Sequence, residues 1–486
     1  MGEIGPSARQ FIQTLQSAGQ SYWQVLPLGP TGYADSPYQA LSTFAGNPML
    51  ISFDDLIDDG LLKPEELRDF PKFTTHKVDY GPVLSFRQQI LDKVCACFSR
   101  RASAELKSDF KTFCAAESEW LEDYALFVSL KEHYQLRPWV EWDTEYVTRD
   151  PAALKAFSKA HASQLKRARL RQFLFDRQWR ALRDCAKAHG VQFVGDIPIF
   201  VAHDSSDVWA NQELFYLDDK GQPTVVAGVP PDYFSATGQL WGNPLYKWEL
   251  HKETGYAWWL KRMKHMVRLV DIVRIDHFRG FEAYWEVPGN EETAMNGKWV
   301  QGPGHDFFAA MKNTFGDIPV IAEDLGVITP GVDKLRDDFE LPGMRILQFS
   351  FADDLEPLMQ PEGFPENCVV YTGTHDNDTT WGWYHRKAGV NNTEDVDVIE
   401  GEKHRVRVMV GTDGSQIHWD LIALAMRLAP HTAIVPLQDV MGLGTEARMN
   451  VPGRMDGNWA WRFEAADLRP EDLQRLRDIT EWAGRI

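Results

Sequence analysis

The chain has 486 residues, 44% of them hydrophobic and 25% charged, and a formal net charge of −19. That length can bury a large core and fits one catalytic domain, 1–486, carrying insertions. The acidic balance disfavours nucleic acid or an anionic membrane as partner, because phosphate binding requires a basic surface.

Five cysteines (Cys95, Cys97, Cys114, Cys185 and Cys368) are few and odd in number, so reduced thiols in a reducing compartment are expected. The start, Met1-Gly2-Glu3-Ile4, shows no charged-then-apolar leader. No apolar stretch is long enough to span a bilayer. The expectation is a soluble, cytoplasmic protein.

In chain order, a helical pattern over 7–18 precedes a strand-like run over 21–28 and a turn-rich segment, Gly29-Pro30-Thr31-Gly32-Tyr33. From about 52 to 189 the pattern becomes helical, with long stretches at 86–100, 104–134 and 152–187, which predicts an inserted helical subdomain. Strands then return near 191, 271, 319, 344, 368 and 432, with helices predicted at 256–269, 306–314, 331–339 and 419–428. Alternating strands and helices predict a parallel sheet. The segment 201–250 is too long and too rich in Gly, Pro and aromatics for a simple connection, and reads as a loop subdomain folded over the rim.

Four of the apolar runs end in acids: Gly195-Asp196-Ile197-Pro198, Arg274-Ile275-Asp276-His277, Ala322-Glu323-Asp324-Leu325 and Thr374-His375-Asp376-Asn377. Parallel strands would gather these carboxylates at one edge, as on the carboxyl rim of a (β/α)8 barrel. Seven strands are visible where eight are needed. Any one such acid could simply cap the next helix, and Asp324 and Asp378 read as caps or loop ligands.

Two neighbouring carboxyls, about 5 to 5.5 Å apart, could perform a retaining displacement at a glycosidic bond. Asp276 shares a strand face with Arg274, a cation that would keep it ionised as a nucleophile requires. Glu323 has one more methylene of reach and follows an apolar run that could hold its proton. Asp376, between His375 and Asn377, could steady a positively charged transition state. The 18 Trp, 14 Tyr and 27 Phe include several in loops, where rings suit stacking on sugars.

Competing motifs are weak. Gly442-Leu443-Gly444-Thr445-Glu446-Ala447 imitates a dinucleotide loop but has no further strand to complete it. Cys95-Ala96-Cys97 lacks a second ligand pair for zinc. His203-Asp204 and His375-Asp376 lack a clear third metal ligand. No cofactor or metal is called for.

Eight segments in order carry a family resemblance: Gln20-Ser-Tyr-Trp-Gln-Val-Leu-Pro-Leu-Gly-Pro-Thr, Ser36-Pro-Tyr-Gln, Gly195-Asp-Ile-Pro-Ile-Phe-Val, Gly228-Val-Pro-Pro-Asp-Tyr-Phe-Ser, Gln239-Leu-Trp-Gly-Asn-Pro, Arg274-Ile-Asp-His-Phe-Arg-Gly, Ala322-Glu-Asp-Leu-Gly and Gly373-Thr-His-Asp-Asn-Asp-Thr. Gly457-Asn-Trp-Ala-Trp-Arg extends it towards the C-terminus. The chain resembles the 4-alpha-glucanotransferases, the amylomaltase or disproportionating-enzyme family related to the alpha-amylases.

The resemblance implies transfer of α-1,4-glucan segments, with retention, between maltooligosaccharides or starch- and glycogen-type glucans. It makes Asp276 the nucleophile, Glu323 the general acid/base and Asp376 the stabiliser. Tyr38, Asp196, Arg274, His277 and His375 become substrate-binding candidates, and Asp232, Tyr233, Phe234 and Trp241 a lid over the acceptor side. Family members usually carry a further strand before the segment matched by Gly2-Glu-Ile-Gly-Pro, so the resemblance implies that the first barrel strand is the absent one. A hydrolase using the same acids, or an inactive glucan-binding protein, remains an alternative at this stage.

Overall fold

Short runs of β-branched and apolar residues, each closed by an acid, a proline or a glycine, become the strands. The computed structural model describes residues 2–486 apart from 69, 232–234, 318, 354, 356–358 and 390–394, with Tyr33 described by its backbone alone. In chain order the strands are β1 (Tyr22–Gln24), β2 (Gln192–Pro198), β3 (Val225–Val229), β4 (Gln239–Pro244), β5 (Ile272–Asp276), β6 (Ala283–Pro288), β7 (Lys298–Gln301), β8 (Val320–Ala322), β9 (Gly343–Ile346), β10 (Cys368–Tyr371) and β11 (Thr432–Ile434).

β1, β2, β5 and β8 pair in parallel in that order, as do β11, β10 and β9. Ala322 N donates to Pro342 O at 2.8 Å, which carries the wall from the first set to the second. Every residue of β8 and β10 is buried, as expected for parallel strands covered on both faces. Helices Ala257–Leu269, Gly304–Phe315, Pro330–Asp338 and Ile417–Arg427 form the outer layer between strands, each within two residues of the periodicity that predicted it. Gly195 permits close packing here, because a Cβ at that point would come within 2.7 Å of the Val270 side chain.

Register decides where the acids go. Asp196 lies opposite Arg274 and Pro198 opposite Asp276 across β2 and β5, while Ile275 faces Ala322 across β5 and β8. The acids of three strands therefore reach the same end of the wall.

The first strand is shorter than the 21–28 run implied. Val25 still donates to Val194 O at 2.9 Å, but Pro27 has no N–H with which to continue the ladder. Two helices expected as single also break in the middle. Residues 104–134 divide into Ala104–Ala116 and Ser118–His133, and 152–187 into Pro151–Ala160 and Ala162–Ala188. At the first break Glu117 turns inward, accepting from Trp120 Nε1 at 2.7 Å and from Arg268 Nη2 at 2.6 Å. At the second, His161 stacks on Phe157 at 4.1 Å between centroids. Both breaks are fixed by side-chain contacts, without Gly or Pro.

The segment expected to be loop over 201–250 holds β3 and β4, which pair antiparallel with β6 and β7 in the order β4-β3-β6-β7. This rim sheet thus draws two of its strands from beyond residue 250. Gly and Pro within it obscure the two-residue alternation that would otherwise announce strands.

Among the described residues, β1 and β11 each have one strand partner, so the parallel wall has an open seam between them. A cavity of about 1680 Å³ occupies the seam, lined among others by Tyr22, Gln24, Thr432, Ile434 and Trp461. Tyr371 Oη donates to Gln24 Oε1 at 2.9 Å, linking β10 to β1. No helix among the described residues is long and apolar enough to cross a membrane.

Candidate active site

β5 delivers Arg274 and Asp276 on one face, and β2 brings Asp196 beside them. Arg274 Nη1 donates to both Asp196 oxygens, at 2.8 and 2.7 Å, and lies 3.0 Å from Asp276 Oδ1. One guanidinium nitrogen thus serves two carboxylates. Burial works against the Arg274 cation, but Asp196 and Asp276 outweigh it and hold it well above its ordinary value. The Asp196 side chain is 0% exposed and pairs with that cation at 2.7 Å. Burial also raises Asp276, against the opposing pull of Arg274. Desolvation is the larger effect on Asp276, and the Arg274 cation opposes it.

Glu323 follows β8, and its carboxyl is held by main chain alone among its described hydrogen-bond partners. His277 N donates to Oε2 at 2.7 Å and Leu325 N to Oε1 at 3.0 Å. Burial first, and then the Asp276 charge, raise Glu323 strongly, opposed by Arg274 and by these two N–H groups. Two adjacent carboxyls in unlike surroundings form the pattern that separates an acid from a nucleophile. The next residue, Asp324, accepts from Met344 N at 2.6 Å and pairs with Arg336 and Arg345. It pins the loop.

On the far side, after β10, Asp376 is about half exposed, its side chain retaining 49% of its accessible surface, and its Oδ1 lies 3.5 Å from His375 Nε2. Tyr38, on the loop after β1, bridges the two sides. Its hydroxyl donates to Asp196 Oδ2 at 2.8 Å and lies 3.0 Å from His375 Nε2. With that proton given to Asp196, the hydroxyl oxygen accepts from His375, which assigns the proton to Nε2. The Tyr38 and His375 rings stack at 5.3 Å, and Trp459 packs against both.

Trp241 on β4 meets the His277 ring edge-on at 4.8 Å. The remaining lid candidates, Asp232, Tyr233 and Phe234, lie outside the described residues. The structure brings together Tyr38, Asp196, Trp241, Arg274, Asp276, His277, Glu323, His375 and Asp376.

Sequence reasoning missed the residues that support Asp376. Asn450 Nδ2 donates to its Oδ1 at 2.6 Å, Arg448 Nη2 donates to its main-chain oxygen at 2.6 Å, and Asn450 N donates to His375 O at 3.0 Å. The loop carrying them continues into Gly457-Asn-Trp-Ala-Trp-Arg, a motif noticed in the sequence but given no role. Asp378 accepts from Thr379 N and Thr445 Oγ1, both at 2.8 Å, and so ties down the same loop.

A parallel barrel-type wall with buried, unlike carboxyls on its carboxyl rim defines a class: the barrel enzymes that work on glycosidic bonds. A family model described as 4-alpha-glucanotransferase matches residues 1–467. The chain is 46% identical over 494 residues to the 4-alpha-glucanotransferase of Thermus thermophilus, covering 100% of this chain and 96% of the relative. Identity to the chloroplastic/amyloplastic enzyme of Solanum tuberosum is 40% over 495 residues, covering 100% and 84%. The solved amylomaltase of Streptococcus agalactiae, in complex with acarbose, superposes with a TM-score of 0.94 at 34% identity, covering 100% of this chain and 96% of that one. The chain belongs to the 4-alpha-glucanotransferase family.

Proposed function

We propose that Asp276 is the nucleophile, Glu323 the general acid and base, and Asp376 the transition-state stabiliser of this enzyme. The chain transfers α-1,4-glucan segments from a maltooligosaccharide or starch-type donor to the 4-hydroxyl of glucose or another glucan. The observation carrying the roles is the pairing of Asp276 with Glu323, one against the Arg274 cation and the other desolvated and clamped by main-chain N–H groups.

In the first displacement an Asp276 oxygen attacks the anomeric carbon. The glycosidic bond breaks, and the Glu323 proton passes to the leaving oxygen. The donor segment is then an ester of Asp276. In the second step Glu323, now a carboxylate, takes the proton of the acceptor 4-hydroxyl, whose oxygen attacks the anomeric carbon and releases Asp276. Asp376 faces the positive charge that develops on the sugar. Tyr38, Asp196, Arg274 and His375 line the sugar-binding subsite, and Trp241 covers the acceptor side so that sugar competes with water.

The finer architecture belongs to the same proposal. The chain is one cytoplasmic catalytic unit, 1–486, with insertions at about 52–189 and 201–250.

The functional test is incubation with maltotriose alone, resolving products by size. The expected result is glucose together with a ladder longer than the substrate. Glucose and maltose without longer products would make the protein a hydrolase, and a folded but inert sample would make it a glucan-binding protein.

A further inference from the structure

β5 ends at Asp276 in extended backbone, and the next residue leaves it abruptly. His277 sits at φ 57°, ψ 49°, in the left-handed region. Residues with a side chain seldom adopt that conformation, although His is among the types that tolerate it best. Strain of this kind persists where surrounding structure enforces it.

The left-handed turn has a specific result. Successive main-chain N–H groups, which alternate in direction along a strand, here both meet the residue that follows the neighbouring strand. His277 N donates to Glu323 Oε2 at 2.7 Å, and Phe278 N donates to Glu323 O at 3.1 Å. The first donor meets the carboxyl and the second the main-chain oxygen of the same residue. With Leu325 N on Oε1, both oxygens of the carboxyl are fixed.

The imidazole itself is used for packing. Its Nε2 is buried without a hydrogen-bond partner among the described residues. Trp241 stands against the ring at 4.8 Å, and a Cβ on Gly280 would lie 3.1 Å from its Cδ2. The ring is wedged between the rim sheet and the turn, which holds the strained backbone in place.

We propose that His277 is a positioning residue for the general acid, acting through its left-handed main-chain N–H on Glu323, with its ring serving as the wedge that fixes that conformation. The proposal rests on Glu323 being the acid/base. It goes beyond the substrate-binding role given to His277, because it makes conformation rather than imidazole chemistry the property that matters.

The test compares His277→Gly and His277→Asn, which accept the left-handed region, with His277→Val, whose branched Cβ resists it. On maltotriose, the Gly and Asn variants should keep about a tenth or more of the parent kcat, while the Val variant falls ~100-fold with KM little changed. The charges acting on Glu323 come from Asp276 and Arg274 on β5. Losing an N–H donor to the carboxylate raises Glu323 further, so the alkaline limb of the Val variant should move to higher pH.

With maltosyl fluoride, whose leaving group needs no proton, the Val deficit should shrink to within about 10-fold. Equal losses in all three variants, with raised KM, would show that the imidazole touches substrate and overturn the proposal, as would a Val variant as active as the Gly one. If the Val variant does not fold, the Gly and Asn variants still decide, because an imidazole contact predicts that both fall ~100-fold. Glu323→Gln run in parallel separates the two readings: if it shows no difference between maltotriose and the fluoride, Glu323 is not the acid and the prior assignment fails.

Discussion

The two sides of the site are built differently. Asp276 and Glu323 stand at the ends of paired strands, with Arg274 and main-chain N–H groups as their partners. Asp376 stands on a loop, half exposed, and is held by Asn450 and Arg448 from a second loop more than 70 residues away. Strand ends are rigid and dry, which allows burial to raise both carboxyls and lets the proton stay on Glu323. A loop pair is more exposed and has more freedom to adjust. The contrast predicts steep, proton-dependent losses on the strand side and graded losses on the loop side.

The largest effects belong to the strand pair. Asp276→Asn should lower kcat by ~10⁴-fold or more on every donor, since no other group can form the ester. Glu323→Gln should lose ~10³-fold on maltotriose yet recover much of its glycosylation rate on maltosyl fluoride. An equal deficit on both donors would erase the division between acid and nucleophile. In the parent enzyme kcat/KM should rise as Asp276 loses its proton and fall as Glu323 loses its own, with the alkaline limb near pH 8; a profile flat from pH 7 to 9 would contradict the raised Glu323.

Next in size is the cation under the pair. Arg274→Met leaves Asp196 buried and unpaired, which should cost about 3–5 kcal/mol of stability and lower the urea midpoint at neutral pH. A midpoint equal to the parent's would show that the buried Asp196 does not depend on this cation.

These expectations differ in how far the sequence disclosed them. Asp276, Glu323 and Asp376 were visible because each closes an apolar run, and the run itself reports a buried parallel strand. The pairing of Arg274 with Asp276 followed from two-residue spacing. That the same nitrogen also serves Asp196 did not, since β2 and β5 come together only in the folded sheet. The N–H clamps on Glu323 left no trace, because every residue but proline carries that donor. Asn450 was invisible for a different reason: its partner is set by loop geometry, which has no period. The rim sheet was hidden by its own Gly and Pro, whereas the outer helices between strands were placed within two residues by periodicity.

On the loop side the effects should be smaller and insensitive to proton demand. Asn450→Ala removes a hydrogen bond to a charged oxygen of Asp376, worth about 1.5–3 kcal/mol if fully made. Because Asp376 is half exposed, water can replace much of it, so a fall in kcat of about 10-fold is expected. The fall should be the same for maltotriose and maltosyl fluoride, in contrast to Glu323→Gln. A donor-dependent loss would tie Asn450 to the acid instead.

The smallest change tests the choice between sugar and water. Trp241 lies between the rim sheet and the His277 ring, and its Nε1 donates to Gln239 Oε1 at 3.3 Å. In the proposed function its flat apolar ring is part of the cover over the acceptor side. Trp241→Ala should leave the ester-forming acids in place but admit water, raising the ratio of hydrolysis to transfer by several-fold while total donor consumption changes less. Glucose and maltose would then accumulate at the expense of the longer ladder. An unchanged ratio would mean that the apolar cover on this side comes from residues other than Trp241. It would also loosen the link between the rim sheet and the strand-end acids, since Trp241 touches the ring that wedges the turn beside Glu323.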